Sequence, residues 1–325
     1  MDNLRQRRSG QPDARGSRQA LRGASQPHHP AVARQVSAIT SAPARAGLTL
    51  VLCAFTLSVA VAQQALVGRV LLATVTNSSD QPLIDLEADD FIVREDGQER
   101  EILSARIADY PLVLLIDNSA HAANDLEAIR SAAGRFVERV GDRAVAVVTL
   151  ADPPAILAGL GDDRTAVRSA IENVQLATEA RRPLEAVSQA TRLIEDARSG
   201  FAAIVVISVT PAGAPDPEPR GLVSAFVQSG DILHLVTRTQ PVVPGAAAAL
   251  TPEDLLRDIA TRSGGRVSTI YSPVSFQVAL DQIADRMATE MLVEYLAPQG
   301  APVPADVRVG VAIPGTRVRG LGVLR

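Results

Sequence analysis

The feature that most constrains this chain is the alternation of apolar runs with amphipathic stretches that begins after residue 110. Leu112-Val113-Leu114-Leu115-Ile116 is apolar throughout and is followed at once by Asp117. A run of this kind suits a strand buried on both faces of a parallel sheet. Leu126, Ile129, Ala133, Val137 and Val140 then recur at three- and four-residue steps, one face of a helix. The pattern repeats. Arg143–Leu150, Ile204–Val209, Ile232–Thr237 and Leu292–Leu296 have strand character. Helices are marked by Val167, Ile171 and Val174, by Leu184, Val187, Thr191 and Ile194, by Leu222–Ser229, and by Phe276, Leu280, Ile283 and Met287. Thr251-Pro252-Glu253-Asp254 opens a further helix with a capping residue, a first-position proline and two acids, and Gly264-Gly265 closes it. The predicted fold class is therefore α/β: a doubly wound, mostly parallel sheet with helices on both faces, spanning 111–297.

Small β segments flank it. In residues 63–110, Val67, Val70, Leu72 and Val75 alternate, and Phe91–Arg94 and Glu101–Leu103 lie around Asp96-Gly97, a strong hairpin signal. In residues 298–325, two alternating stretches meet at Pro314-Gly315. These are expected to pair with the N-terminal segment in a small antiparallel subdomain.

Residues 1–45 form an Arg-rich leader without apolar periodicity, expected to be disordered. Residues 46–62 have the character of a signal-peptide apolar region: Leu48 to Ala62 carries no charge and ends on Ala60-Val61-Ala62. The run is shorter than the ~20 residues of a spanning helix. The expectation is cleavage after Ala62 and a secreted, periplasmic or cell-envelope location. The alternative is an uncleaved anchor in the inner membrane through residues 47–68, the one membrane contact foreseen.

Composition removes several function classes. All 32 basic residues are Arg, so no Walker or Schiff-base lysine exists. The single cysteine, Cys53, precludes multi-cysteine zinc and iron–sulfur sites. Residues 1–62 hold eight Arg and two Asp, a charge of +6, which leaves −10 for residues 63–325 out of the chain's −4. That acidic remainder lacks the basic surface that nucleic-acid binding requires. The sequence contains no Gly-x-Ser-x-Gly elbow, and Gly159-Leu160-Gly161 does not continue into a dinucleotide fingerprint. A non-catalytic protein is expected.

The residues after the first buried strand, Asp117-Asn118-Ser119-Ala120-His121, stand where a von Willebrand factor type A domain carries its Asp-x-Ser-x-Ser metal-ion-dependent adhesion motif. Asp89–Gly97 resembles a lead-in of bacterial secreted members of that group. Ile259-Ala260 with Ser263-Gly264-Gly265-Arg266 resembles their penultimate helix-to-strand passage. The resemblance covers about residues 66–325. It implies an interaction or adhesion module in which Asp117 and Ser119 would bind Mg2+ with a Thr and an Asp from neighbouring loops, a partner's carboxylate completing the shell.

The chain departs from that pattern. His121 replaces the second serine, Arg182 stands at the apparent Thr position with Thr178 four residues upstream, and Thr210-Pro211 follows the strand where the second Asp belongs. An arginine there opposes a cation by Coulomb repulsion. Asp117, Asn118, Ser119, His121, Arg182 and Thr210 are accordingly taken as loop residues facing an unidentified protein partner, with no cofactor required. Asp117 and Ser119 also have plain structural readings, as groups bonding local backbone at a helix start. His234, inside an apolar strand, is expected to be a hydrogen-bonded core residue, and Asp162-Asp163 to serve a helix N-terminus. Two alternatives stay open: a Mg2+-dependent adhesion domain using the partial metal set, and an envelope scaffold or assembly protein.

Overall fold

A computed structural model describes residues 65–210, 221–239, 251–300 and 306–323. The expected leader, the apolar run 46–62 and the loop 211–220 lie outside these residues. The strands are β1 (Leu66–Thr76), β2 (Phe91–Glu95), β3 (Gln98–Arg100), β4 (Ile102–Ile107), β5 (Leu112–Ile116), β6 (Val145–Thr149), β7 (Ile156–Ala158), β8 (Ala203–Thr210), β9 (Ile232–Thr239), β10 (Val267–Ile270), β11 (Glu290–Pro298), β12 (Val307–Val311) and β13 (Arg317–Val323). The helices are α1 (Leu126–Arg139), α2 (Arg164–Glu172), α3 (Pro183–Asp196), α4 (Leu222–Ser229), α5 (Pro252–Arg262) and α6 (Ser275–Met287). Among the described residues no helix is long and apolar enough to cross a membrane.

The α/β part is a six-stranded sheet in the order β10-β9-β8-β5-β6-β7, parallel except for the short edge strand β7. Strands β5 and β6 are buried at every position because both faces are covered. Leu112, Leu114 and Ile116 pack with α1, α2 and α6, whereas Val113 and Leu115 pack with α3, α4 and α5. The period of two along each strand divides the core into these two layers. Helix α5 begins as expected, with Thr251 and Asp254 forming a reciprocal capping box and Pro252 in the first turn.

The flanking segments build a second core. A four-stranded antiparallel sheet, β13-β1-β11-β4, faces a three-stranded one, β12-β2-β3. Between them lie Leu71, Ala73 and Val75 of β1, Phe91 and Val93 of β2, and Val293 and Tyr295 of β11. The lead-in noted in the sequence has structural work here. Glu95 is buried and accepts from Arg69 and Arg100, and Asp96-Gly97 turns the β2–β3 hairpin with both φ angles positive, 50° and 81°. The tail pairs with the N-terminal segment as anticipated, β12 with β2 and β13 with β1.

One boundary is corrected. The strand character of Leu292–Leu296 places the end of the α/β domain at 297, yet β11 pairs antiparallel with β1 and β4. Met291, Val293, Tyr295 and Ala297 alternate into the second core. Such alternation marks an antiparallel strand with one buried face, not a parallel one. The α/β domain is thus inserted between two neighbouring strands: the chain leaves the sandwich after β4 and returns directly beside it in β11, with Ile107 opposite Met291.

Candidate functional site

In open α/β sheets, binding sites form outside the carboxyl ends of the strands, where the strand order reverses. Here that point lies between β5 and β8: β5 leads to β6 on one side and β8 leads to β9 and β10 on the other. Asp117 follows β5 at this position and is fully buried. Its backbone N–H donates to the Ile207 carbonyl at 3.0 Å, extending the β5–β8 register by one residue. Its Oδ1 accepts from the Ser119 hydroxyl at 2.7 Å and the Ser119 N–H at 3.1 Å. Its Oδ2 accepts from the Val209 N–H at 2.8 Å. One carboxylate oxygen therefore closes the loop on itself through Ser119, and the other ties it to the neighbouring strand.

Asn118 braces the adjacent loops. Its amide donates to the Gln175 carbonyl at 2.9 Å and accepts from the Ala151 N–H at 3.1 Å, while its own carbonyl accepts from the Ala177 N–H at 2.8 Å. His121 is exposed. Thr178 is also exposed and donates to Glu179 at 3.1 Å, so it does not stand in for the absent threonine. Thr210 ends β8, and the loop after it lies outside the described residues.

The guanidinium of Arg182 turns away to Asp152, with Nε at 3.0 Å and Nη2 at 2.9 Å from Oδ2. The guanidinium at the buried edge belongs to its neighbour Arg181, only 4% exposed. Arg181 Nη1 donates to the Ser208 hydroxyl at 2.7 Å and pairs closely with Glu253 in the first turn of α5. The segment is extended here, Arg181 forming an antiparallel bridge with Ala151. Adjacent side chains of an extended segment point to opposite sides, so a one-residue shift decides which arginine goes inside. Ser208 lies opposite Asp117 when the β5–β8 register is continued, on the same sheet face.

A second pair, missed by the sequence reading, sits at the same edge. Asp125, 1% exposed just before α1, accepts from Arg238 of β9 at 2.6 Å. Asp125 Oδ1 and Arg238 Nε are buried without a hydrogen-bond partner among the described residues. Asp125 gave no signal beyond a helix start, since a partner 113 residues away is a product of tertiary structure.

Away from the edge, Asp163 caps α2 by accepting from the Ala166 N–H at 2.8 Å, and Asp162 accepts from the Gly159 N–H at 2.8 Å. His234 is a core residue whose Nδ1 accepts from the Arg266 N–H at 3.0 Å. Burial, with the nearby charges of Arg286 and Arg266, lowers its pKa to about 3. Its neutral form favours the fold. That contribution is whole above the unfolded value of about 6.5 and is lost as the pH falls from there toward 3. Urea titrations at about pH 7.5 and pH 5 should show the native chain losing roughly 2 kcal/mol more than His234→Gln. Equal losses would mean that the imidazole titrates normally. The comparison is needed because burial raises the pKa of Glu290 and of Asp231, which act in the opposite direction.

The von Willebrand factor type A domain family matches residues 112–210, from the first residue of β5 to the last of β8. No curated protein sequence matches the chain significantly. Among solved structures, the von Willebrand factor type A protein of Catenulispora acidiphila is 14% identical, covering 78% of this chain and 72% of its own, with a TM-score of 0.46. The conserved hypothetical protein BatB of Bacteroides thetaiotaomicron is 18% identical over 55% of this chain and 98% of its own, with a TM-score of 0.42. The vWF domain of the type V pili tip protein Mfa5 of Porphyromonas gingivalis is 11% identical over 56% and 95%, with a TM-score of 0.42.

Proposed function

We propose that the chain, whose residues 112–210 match the von Willebrand factor type A domain family, is an exported, non-catalytic protein-interaction or adhesion module of the cell envelope that works without a metal ion. The observation that carries the last part is the internal consumption of the donor set. Mg2+ demands near-octahedral oxygen ligands with several waters. Asp117 and Ser119 instead bond each other and the Val209 amide in a fully buried knot, and the exposed His121 offers no third oxygen. The residues do not fit a divalent cation. Recognition then rests on shape and hydrogen bonding around the loops bearing His121 and Thr178 and on the Arg182–Asp152 pair. The apolar run closed by Ala60-Val61-Ala62 supports export.

The test is site-specific photo-cross-linking in envelope preparations from cells making the full chain. A photoreactive residue at His121 or Thr178 should give a discrete adduct that survives EDTA, and one at the α1 surface residue Glu138 should not. An adduct lost in EDTA would establish the cation-dependent reading. Absence of adducts at the edge would favour a scaffold, a role supported by the tight insertion of the domain between β4 and β11.

A further inference from the structure

One edge of the six-stranded sheet is left bare. β10 pairs with β9 on one side, and among the described residues no strand lies on its other side. The Arg266 carbonyl accepts from the Leu235 N–H of β9 at 2.8 Å. Backbone groups alternate in direction along a strand, so those of Val267 and Thr269 point away from the sheet. Edges of this kind are normally blunted by charge, proline or a bulge. β10 has none of these, and no charged residue occurs from Val267 to Leu280, which carries the chain through β10 and into α6. Tyr271 and Val274, at 79% and 78%, are the most exposed large apolar residues described, and Val278 on α6 is exposed beside them. Ser268 and Ile270 share the strand face toward α6, where they line a groove with Ser275 and Val278. The Ser268 hydroxyl is buried without a hydrogen-bond partner among the described residues.

We propose that β10 pairs antiparallel with β10 of a second copy of this chain, about a two-fold axis that sets Ser268 opposite its own counterpart. Two observations favour a second copy over a foreign strand. The first is self-complementarity. A hydroxyl both donates and accepts, so an axis at Ser268 gives each orphaned hydroxyl a partner in the other. In this register Val267 of each copy faces Thr269 of the other, and each such pair exchanges two backbone hydrogen bonds through the outward groups. Ser268 then occupies a non-hydrogen-bonded pair, where facing side chains come closest. The second observation is charge. Residues 63–325 carry −10, so two copies repel unless they meet on a surface without charge, and the Val267–Leu280 stretch is such a surface. The axis stands perpendicular to the sheet, which keeps both α6 helices on one face and brings their Val278 side chains to the joint. Antiparallel pairing points the carboxyl edges of the two sheets in opposite directions, so a dimer presents its loop edges at both ends. The inference stands apart from the function proposed above, and neither requires the other.

The test is the mass of the full chain by light scattering over a dilution series, read together with disulfide trapping. At high micromolar concentration the native chain should have twice the mass of one chain and should fall toward the single mass on dilution. Val278→Asp, which brings two carboxylates to the joint, should hold the single mass at the same concentration while melting within a few degrees of the native chain. Thr269→Pro, which removes an outward N–H and spares the bonds to β9, should do the same. If Thr269→Pro does not fold, Val278→Asp decides. With Cys53→Ser removing the native thiol, Ser268→Cys should oxidise to a covalent dimer, because a non-hydrogen-bonded pair brings the two Cα atoms within disulfide range. Leu103→Cys, exposed on the edge strand β4, should not. A native chain of single mass at high micromolar concentration, a double mass unmoved by Val278→Asp, or a Ser268→Cys chain that stays single under oxidation overturns the proposal. Ser268→Cys trapped on a different protein, when the oxidation is done in cells, gives the edge to a foreign strand and overturns it as well.

Discussion

Replacing Gly265 by alanine is expected to be among the most damaging single-methyl changes in the chain. A Cβ at this position would lie 1.8 Å from the carbonyl oxygen of Leu233 and 2.7 Å from its carbon, both backbone atoms of β9 that cannot rotate away. The passage from α5 to β10 crosses directly over β9 at this point. It is held there by hydrogen bonds from Leu233 N–H to the Ser263 hydroxyl at 3.0 Å, from Gly265 N–H to the Ala260 carbonyl at 2.8 Å, and from Leu235 N–H to the Arg266 carbonyl at 2.8 Å. Accommodating the methyl group means breaking that seam. Overpacking of a well-filled site costs about 1–3 kcal/mol and more where only backbone can move, so a loss above ~3 kcal/mol is expected. For a domain of this size that lowers the melting midpoint by roughly 10 °C. Gly134 supplies the contrast. It lies inside α1, where a methyl group would meet nothing within 4 Å, and Gly134→Ala should stabilise by about 0.5–1 kcal/mol through helix propensity. A Gly265→Ala chain that melts within a degree of the native one would show that the crossing is looser than this geometry.

The second large effect is expected at the junction between the inserted domain and the sandwich. Glu290, the first residue of β11, is buried. It accepts from Arg286 Nε at 3.2 Å and makes a close hydrogen bond with the Tyr110 hydroxyl. Arg143 covers the Tyr110 ring at 4.6 Å and donates to the Tyr110 and Met287 carbonyls at 3.2 and 2.9 Å. Arg286 also reaches the Gly264 carbonyl at 2.6 Å. Burial, with the neighbouring Glu290 carboxylate, pushes the Tyr110 phenol well above its usual range, and burial pushes the Glu290 carboxyl up as well. Glu290→Ala would strand a largely buried guanidinium and a buried phenol together, a loss of about 3–5 kcal/mol by the precedent of broken buried pairs. Glu290→Gln keeps one acceptor oxygen for Arg286, and its NH2 can donate to the Tyr110 oxygen, so it should cost less. Tyr110→Phe removes one hydrogen bond and should cost about 1–2 kcal/mol. Urea unfolding of the three variants checks the order. A Glu290→Ala chain as stable as Glu290→Gln would refute the view that this carboxylate binds the two parts of the molecule together.

Much of the architecture is legible in residue order because it depends on local periodicity. The continuous run Leu112–Ile116, the three- and four-residue steps of α1, and the Thr251–Asp254 start of α5 each carry their structure in a short window. The short strands are harder. β7 has three residues, too few for a pattern to stand out. β11 is recognisable as a strand but not as a member of the second sheet, because a strand's partners are not written in its own residues.

The site follows the same division. Residue order places Asp117 and Ser119 at the end of the first buried strand, identifies His121 and Arg182 as departures, and assigns His234 to the core, since each judgement needs only a neighbourhood. Tertiary structure alone decides that Arg181 rather than Arg182 turns inward, that Glu253, 72 residues away, receives it, and that Asp125 meets Arg238 across 113 residues. It also decides that Gly265 must be glycine for reasons of space, whereas Gly264, with φ of 73°, is a glycine for reasons of conformation. The physical reason is common to all of these. Helix and strand periods are properties of adjacent residues, whereas the pairing of a buried charge and the clearance above a backbone depend on which distant segments the packed core brings together.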